Sequence, residues 1–436
     1  MRPVPTPRLV LVLAVASVVV LVVPGGGWGP LLVVDGIVMA LAALDVARAV
    51  APARVEVRRE LPPVVALGAE APLAWHLRNP SSRPIRVAVA DELAPSLRAS
   101  FRRFSGRVPP GGTLTARATV RPARRGRFEV AELVVRVEGP LGLAARQAAR
   151  RDPAVLRVHP SFRSRDEAEL RIERGRILEV GLRSARGRGG GTEFDQLREY
   201  GVDDDVRRID WSATARAGKA MVRTYRAERN QNVLVLLDNG RTMAGRVAEV
   251  PRLEHAMDAV LCLTTVATRL GDRCGLVAFD REVRAVVPAR SNRDQVGRVA
   301  EAMYELEPAL VESDYAGAFT AALARSRRRA LIVVLTDLVE QAALQWLLPA
   351  LPLVARHHVV VVAAVRDPDV AAWASEPPVD AAQAYRSAAA VAALAERART
   401  TARLRALGAT VVDSPPGRLA PQLADAYLDL KAVGRL

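Results

Sequence analysis

The chain has 436 residues, of which 50% are hydrophobic and 25% are charged. This length predicts about two or three domains, and the composition indicates a globular rather than a disordered chain. The formal charge of +16 comes almost entirely from arginine, without the interleaved aromatic residues of nucleic-acid-binding surfaces, so we expect no nucleic-acid partner. Cys262 and Cys274 lack metal-like or redox-like spacing, which predicts reduced core thiols and agrees with a cytoplasmic main domain.

Two apolar segments near the N-terminus predict a transmembrane hairpin over residues 1–52. Residues 9–23 are apolar except for Ser17, and a second apolar run covers residues 31–50 after a break rich in Gly and Pro. Arginines flank both outer ends and the turn has none, so the positive-inside rule predicts a cell-membrane anchor of two spans with both flanks in the cytoplasm. The first run is short for a span, which leaves a secretory signal peptide as the alternative.

The next segment, residues 53–160, contains short alternating stretches separated by turn signals, which predicts a small β-sandwich. Within it, residues 126–137 are interpreted as a hairpin and the Pro-Leu-Gly-Leu sequence at 140–143 as its exit turn. The basic, glycine-broken segment 161–192 is interpreted as a flexible connector, with a contact to an anionic membrane surface as the alternative.

Beyond residue 193, charged side chains are unusually dense around aromatic and aliphatic ones. From the residues alone, this pattern predicts a surface segment whose carboxylates and guanidinium groups pair while the aromatic rings fix it to the core. The charged and aromatic residues of this segment include Arg198, Tyr200, Asp204, Asp205, Arg207, Asp210, Trp211 and Arg216.

An α/β domain is predicted to follow and to complete the range 193–436. Apolar strands at Asn232–Asp238, 275–279, 331–335, 359–365 and 410–412 are separated by segments of helical length. This alternation predicts a doubly wound, mainly parallel sheet. The helical stretches 380–407 and 420–431 are interpreted as its closing layers, with a partner-binding helix as the alternative.

Oxygen-bearing side chains fall where these predicted strands end or helices begin, namely Asp238, Thr242, Ser313 and Asp337. Sheets of this type bind ligands outside the carboxyl ends of their strands, and carboxylates with hydroxyls are ligands that Mg²⁺ prefers. The alternative is that Asp238 and Asp337 only cap helices and hydrogen-bond loops.

The segment from Glu193 to Glu228 resembles the signature of the domain of unknown function 58 family. The apolar hairpin, the strand-rich domain with its Pro-Leu-Gly-Leu turn and the C-terminal helices resemble that family too. The resemblance implies a von Willebrand factor A-like domain, membrane anchoring and association with a MoxR-type AAA ATPase. One departure is Asp203, where the family usually has Gly, and the resemblance assigns the signature segment no role.

The same resemblance implies a metal-ion-dependent adhesion site. Asp238 would begin its Asp-x-Ser-x-Ser loop and Thr242 would replace the second Ser. Ser313 would match the Thr of the second loop and Asp337 the Asp of the third. Gly240 stands where the first Ser is expected, so one hydroxyl ligand is missing and the site is degenerate.

Together these features predict a membrane-anchored cytoplasmic binding or scaffold module that acts with a MoxR-type AAA ATPase on an unknown client protein, in client maturation or complex assembly. No phosphate-binding loop and no Ser-His-Asp or Cys-His order stands out, so we expect neither an enzyme nor a small-molecule substrate. The alternatives are a hydrolase using the carboxylates of residues 203–205 and Asp210, or a metal-independent envelope structural protein.

Overall fold

The computed structural model describes residues 2–22, 28–186, 193–201, 206–226, 231–326, 328–339, 343–434 and 436. The chain divides into two compact units, Met1–His159 and Pro160–Leu436. Each unit has its own apolar core.

Two apolar helices, α1 (Pro7–Val22) and α2 (Trp28–Arg48), pack against each other near the N-terminus. Most of their large apolar side chains are exposed, which is unusual for a helix that faces water. Among the described residues, one helical region is long and apolar enough to cross a membrane, Trp28–Arg54 with a mean hydropathy of 2.0. Helix α1 is apolar but has 16 residues.

The rest of the first unit consists of two antiparallel sheets around one core. The smaller sheet has the order β2-β4-β7, and the larger has the order β1-β9-β8-β5-β6 with β3 pairing in parallel with β9. Strand β4 alternates buried and outward side chains, and its Trp75 is fully buried between the sheets. The strands are β1 (Arg2–Pro5), β2 (Glu56–Glu60), β3 (Val64–Ala66), β4 (Ala71–Arg78), β5 (Ile85–Asp91), β6 (Arg103–Val108), β7 (Thr113–Val120), β8 (Gly126–Glu138) and β9 (Ala144–His159).

The interpretation of residues 126–137 as a hairpin differs from the structure. Strand β8 runs through this range as one strand, with an irregular register between Val130 and Glu132 where a turn was expected. A bulge accommodates one extra residue without reversing the chain. The reversal comes later, at the Pro-Leu-Gly-Leu turn between β8 and β9.

This turn binds the end of helix α2 through Asp45, which is buried. The Asp45 carboxylate accepts hydrogen bonds from the backbone N–H groups of Leu141, Leu143 and Ala144 at 2.7, 2.8 and 3.0 Å. A Cβ on Gly139 would lie 2.3 Å from the Asp45 carboxyl carbon, so the turn needs glycine there. A carboxylate in an apolar helix thus has three donors outside that helix.

The start of the chain contacts the same place. Strand β1 pairs with the first residues of β9, and the Thr6 hydroxyl donates to the carbonyl oxygen of Gly142 at 2.6 Å. Both ends of the helix pair are therefore bound to one turn of the sandwich.

In the second unit, the segment interpreted as a flexible connector, 161–192, contains helix α3 (Arg165–Arg186). Its Ala168 and Ile172 are buried in the core of that unit. On the outward side, Arg174 pairs with Asp425 at 2.9 Å. Apolar residues spaced four apart can bury one face of a helix even when most other positions are charged. The interpretation as a flexible connector considered only the composition of the segment and missed this periodicity. Residues 187–192 lie outside the described part.

A six-stranded sheet forms the centre of the second unit, in the order β16-β15-β12-β17-β18-β19. All neighbours are parallel except the edge pair β15 and β16. Its strands are β12 (Asn232–Asp238), β15 (Arg273–Phe279), β16 (Val283–Arg290), β17 (Ala330–Leu335), β18 (Val359–Val365) and β19 (Thr410–Ser414).

Apolar clusters cover both faces of this sheet. Alternate residues of β12 belong to different clusters, Val233 and Val235 to one and Leu234 and Leu236 to the other, so the strand is buried on both sides. The helices are α5 (Arg252–Arg269), α6 (Gln295–Met303), α7 (Tyr315–Arg325), α8 (Leu348–Ala350), α9 (Pro352–Ala355), α10 (Pro368–Ser375), α11 (Ala381–Ala406) and α12 (Leu419–Ala432).

Smaller elements precede and interrupt this sheet. Strands β10 (Glu193–Glu199) and β11 (Met221–Arg226) pair as an antiparallel ribbon. Helix α4 (Trp211–Ala217) lies between these two strands in the sequence. The short pair β13 (Arg246–Val247) and β14 (Val250–Pro251) leads into α5. The sequence analysis had predicted neither ribbon.

Candidate functional site

Asp238 is the last residue of β12, the strand at which the order of the sheet reverses. The next strand of the sheet along the chain, β15, pairs on one side of β12, and the one after the edge strand, β17, pairs on the other. Loops diverge at such a point and leave a crevice at the carboxyl ends of the strands. The Asp238 side chain is nevertheless fully buried, because three of these loops close over it.

Five donors surround the Asp238 carboxylate, and we call this group the Asp238 cradle. Oδ1 accepts from the Ser313 hydroxyl at 2.5 Å and from the Gly240 N–H at 2.8 Å. Oδ2 accepts from Thr336 at 2.6 Å and from Tyr315 at 2.9 Å, with Thr242 at 3.4 Å. A buried carboxylate needs such donors, and here they join three loops to the end of β12.

The structure thus brings together three of the predicted ligands, Asp238, Thr242 and Ser313. It adds Tyr315 and Thr336, which the sequence analysis did not select as ligands. Burial, and then the negative charge of Asp238, raise the pKa of Tyr315 well above its usual range, so its hydroxyl stays a proton donor. A signal for Thr336 existed, because it precedes Asp337 at the end of a predicted strand. For Tyr315 the sequence contains no such signal, because an aromatic residue near the start of a helix usually packs in the core.

Gly240 has a packing reason in this cradle. A Cβ at Gly240 would lie 2.0 Å from the Ser313 hydroxyl oxygen and 3.1 Å from Asp238 Oδ1. The Ser313 hydroxyl therefore occupies the space that a side chain at position 240 would need, and its bond to Asp238 depends on glycine there.

The fourth predicted ligand, Asp337, pairs with two arginines, Arg252 and Arg397. Arg397 Nη1 donates to Asp337 Oδ1 at 2.7 Å, and Arg252 Nε lies 3.3 Å from Oδ2. Arg397 also bonds both oxygens of Asp413, at 2.8 and 2.9 Å, and the carbonyl oxygen of Val365. Burial lowers the pKa of Arg397, but its bonds to Asp413 and the charge of Asp337 outweigh burial and raise it overall.

In this arrangement, the side chains at positions 238, 240 and 337 do not fit a resident Mg²⁺ ion. Position 240 offers no side-chain oxygen, and both oxygens of Asp238 already accept hydrogen bonds. Both oxygens of Asp337 face guanidinium groups, which repel a cation. Mg²⁺ requires a near-octahedral shell of oxygens, which these occupied side chains do not offer. The resemblance implies Mg²⁺ binding, whereas these contacts predict none, and calorimetry decides between the two.

The signature segment lies away from this cradle in sequence and forms the β10–β11 ribbon with α4. Asp210 caps α4 by accepting from the Ala213 N–H at 3.0 Å and pairs with Arg223 Nε at 2.7 Å, contacts that lower its pKa, the bond to Arg223 most. The Trp211 side chain is 68% exposed, and Arg207 and Arg216 are exposed, whereas Arg198 and Tyr200 are half-buried. Asp204 and Asp205, with Asp203, lie outside the described residues. The expectation that aromatic rings fix this segment to the core fails for Trp211.

Comparison with known proteins bears on this region. Residues 196–376 match the model of the family described as Protein of unknown function DUF58. The DUF58 match includes the signature segment from Gln196 onward, the whole Asp238 cradle, Asp337 and Arg252, and it ends before Arg397. The match is a similarity to that family over these residues, and it gives them no activity.

Similar proteins have been found in mycobacteria and among solved structures. The uncharacterized proteins Rv1480 of Mycobacterium tuberculosis and Mb1516 of Mycobacterium bovis are each 28% identical to this chain over 184 residues, 42% of this chain and 57% of the relative. The match thus spans little more than half the length of these relatives. Conserved hypothetical protein BatB from Bacteroides thetaiotaomicron is 16% identical with a TM-score of 0.32, covering 47% of this chain and 99% of its own.

Proposed function

We propose that this chain is a membrane-anchored binding module of the von Willebrand factor A-like type, which docks a protein partner at the carboxyl edge of its doubly wound sheet. The Asp238 cradle carries the proposal. It fixes three loops at the point where the strand order reverses, which is where sheets of this kind bind ligands. Fixed loops form a docking surface at little entropic cost.

The same cradle favours binding over catalysis. A general base needs an oxygen within reach of the proton that it removes, and both oxygens of Asp238 are fully buried and accept from side chains of the protein itself. In the signature segment, Asp210 is likewise occupied by Ala213 and Arg223. The hydrolase alternative predicts turnover of a generic phosphoester or peptide by the purified chain alone.

The proposed anchor is the helix pair α1 and α2, as two spans with both ends in the cytoplasm. Strand β1 before the pair and Asp45 at its end both bind the same part of the sandwich, which supports two ends on one side of a membrane. The arginines that flank the pair assign that side to the cytoplasm. Removal of the first segment as a signal peptide would delete β1 from the sheet.

The proposed partner is a MoxR-type AAA ATPase, together with a client protein, on the DUF58 resemblance. The test measures binding of the full chain in nanodiscs to the MoxR-type ATPase of the source organism by biolayer interferometry. Asp238→Ala is expected to weaken binding at least about tenfold, because the loops lose their common acceptor. Asp294→Ala, which removes an exposed carboxylate outside the cradle, serves as the matched control. Equal binding by wild type and Asp238→Ala, or no binding at all, contradicts the proposal.

A further inference from the structure

Residues 367–396 form a helical arm made of α10, the loop after it and the first part of α11. Arg397, the next residue of α11, bonds to Val365, Asp337 and Asp413, which lie at the carboxyl ends of the strands. From there α11 runs back along the sheet to the start of β19. The preceding 16 residues of α11 therefore project beyond the carboxyl edge. At about 1.5 Å per residue this projection is about 24 Å long.

Specific contacts hold the two helices of the arm in a defined arrangement. Asp367 caps α10 by accepting from the Asp369 N–H at 3.0 Å, and Asp380 caps α11 by accepting from the Gln383 N–H at 2.7 Å. The Arg386 guanidinium stacks over the Trp373 ring, 5.4 Å from its centroid, and joins the two helices. Caps and a cross-helix contact fix the pair in one geometry.

The arm nevertheless lacks a core of its own. Of residues 367–396, only Ala390 is buried. Large apolar side chains remain in contact with solvent, with exposed fractions of 40% for Trp373, 83% for Val379, 80% for Tyr385 and 52% for Val391. Helices gain most of their stability from burying an apolar face, so a projecting pair with exposed aromatic rings indicates a surface that another molecule covers.

The charge of the arm favours one kind of molecule on this surface. The arm carries one basic residue and five acidic ones, a formal charge of −4, so the remainder of the +16 chain carries +20. An acidic surface is repelled by nucleic acid and by anionic lipid headgroups. It is attracted to basic protein side chains, and the rest of a second copy of this chain, with its formal charge of +20, supplies an excess of them.

We propose that the helical arm docks on a second copy of this chain, with its exposed aromatic and aliphatic side chains against an apolar area and its carboxylates against arginines of that copy. Copies anchored in one membrane share an orientation and a high local concentration, which favours this contact. This contact is separate from the ATPase docking proposed above, and either proposal can be true without the other.

The test is sedimentation velocity of the purified full chain in detergent micelles, over a range of protein concentrations and at low and high salt. We expect wild type to self-associate in the micromolar range, and to do so less at about 0.5 M NaCl because salt screens the charges. A Tyr385→Ala/Val391→Ser variant and a Glu376→Lys/Glu396→Lys variant are each expected to raise the dissociation constant at least about tenfold. The replaced side chains are exposed, so each fold should survive.

Matched controls replace equally exposed side chains outside the arm. Leu310→Ser removes an apolar side chain that is 81% exposed, and Glu249→Lys reverses an exposed carboxylate. Both are expected to associate as wild type does. A wild type that stays monomeric up to about 50 µM overturns the proposal. Association that the arm variants leave unchanged overturns it too. ATPase binding by a monomeric wild type would leave the docking function standing without this inference.

Discussion

At residue 240, the absence of a side chain is what the cradle requires. The resemblance presents Gly240 as a lost Ser ligand, yet a Cβ there would meet the Ser313 hydroxyl at 2.0 Å. Gly240→Ser should therefore lower the stability of the second unit by about 1–3 kcal/mol, because packed side chains must shift. Thermal unfolding followed by circular dichroism measures the effect.

A second substitution separates this clash from other causes. Ser313→Ala removes the oxygen that collides with the new side chain, so adding it to Gly240→Ser should recover part of the loss. A double variant less stable than either single variant would contradict the packing explanation.

The arginines at Asp337 lead to a prediction about metal. Because Arg252 and Arg397 already face both oxygens of Asp337, we expect no heat of binding from Mg²⁺ or Mn²⁺ at about 1 mM in calorimetry of wild type. Asp238→Ala is the control, and it should behave identically. Binding by wild type that Asp238→Ala abolishes would establish the adhesion site that the resemblance implies and return Mg²⁺ to the docking mechanism.

The two cysteines are predicted to be inert. Burial raises the pKa of Cys262 and of Cys274 to about 12, so at pH 8 only about one thiol in ten thousand is a thiolate. The native chain should show no reaction with DTNB over minutes at pH 8, and two thiols should react after denaturation. Rapid labelling of either cysteine in the native chain would mean that the apolar core around it opens readily.

At the scale of elements, Asp45 couples the apolar helices to the sandwich. Asp45→Ala leaves three backbone N–H groups of the β8–β9 turn without an acceptor, and should destabilise the first unit by about 2–3 kcal/mol. The measurement is the melting temperature of the full chain in detergent, with proteolysis at the turn as a second readout.

Asp35 provides the matched control on the same helix. Its Oδ1 is buried and has no hydrogen-bond partner among the described residues, so Asp35→Ala removes a carboxylate without removing a contact of that oxygen. It should be neutral or stabilising. Equal losses from the two substitutions would indicate a general need for charge in α2 rather than a specific bond to the turn.

The parallel strands could be predicted from sequence because each is a run of aliphatic residues buried on both faces, as in β12. The three cradle residues predicted from sequence lie close to such a strand end or helix start, because Asp238 ends β12, Thr242 follows four residues later and Ser313 lies two residues before α7. The edge strand β16 was missed because it is half-exposed and lacks such a run. Arg397 could not be foreseen, since its partner Asp337 is 60 residues away and only the folded sheet brings them together.

For the whole molecule, the proposed two-span anchor predicts where inserted thiols can be labelled. Both natural cysteines are buried, so a single new cysteine reports its own position. Trp28→Cys, at the exposed start of α2, should react with a membrane-impermeant maleimide added to intact spheroplasts. Ser82→Cys, in the β4–β5 turn, should react only after lysis, because two spans return the sandwich to the cytoplasm.

A signal peptide would instead export the sandwich, so Ser82→Cys would be labelled in intact cells and the mature chain would lack β1. Labelling of neither site before lysis would mean that the helix pair does not span the membrane, and that its exposed apolar faces are covered in some other way.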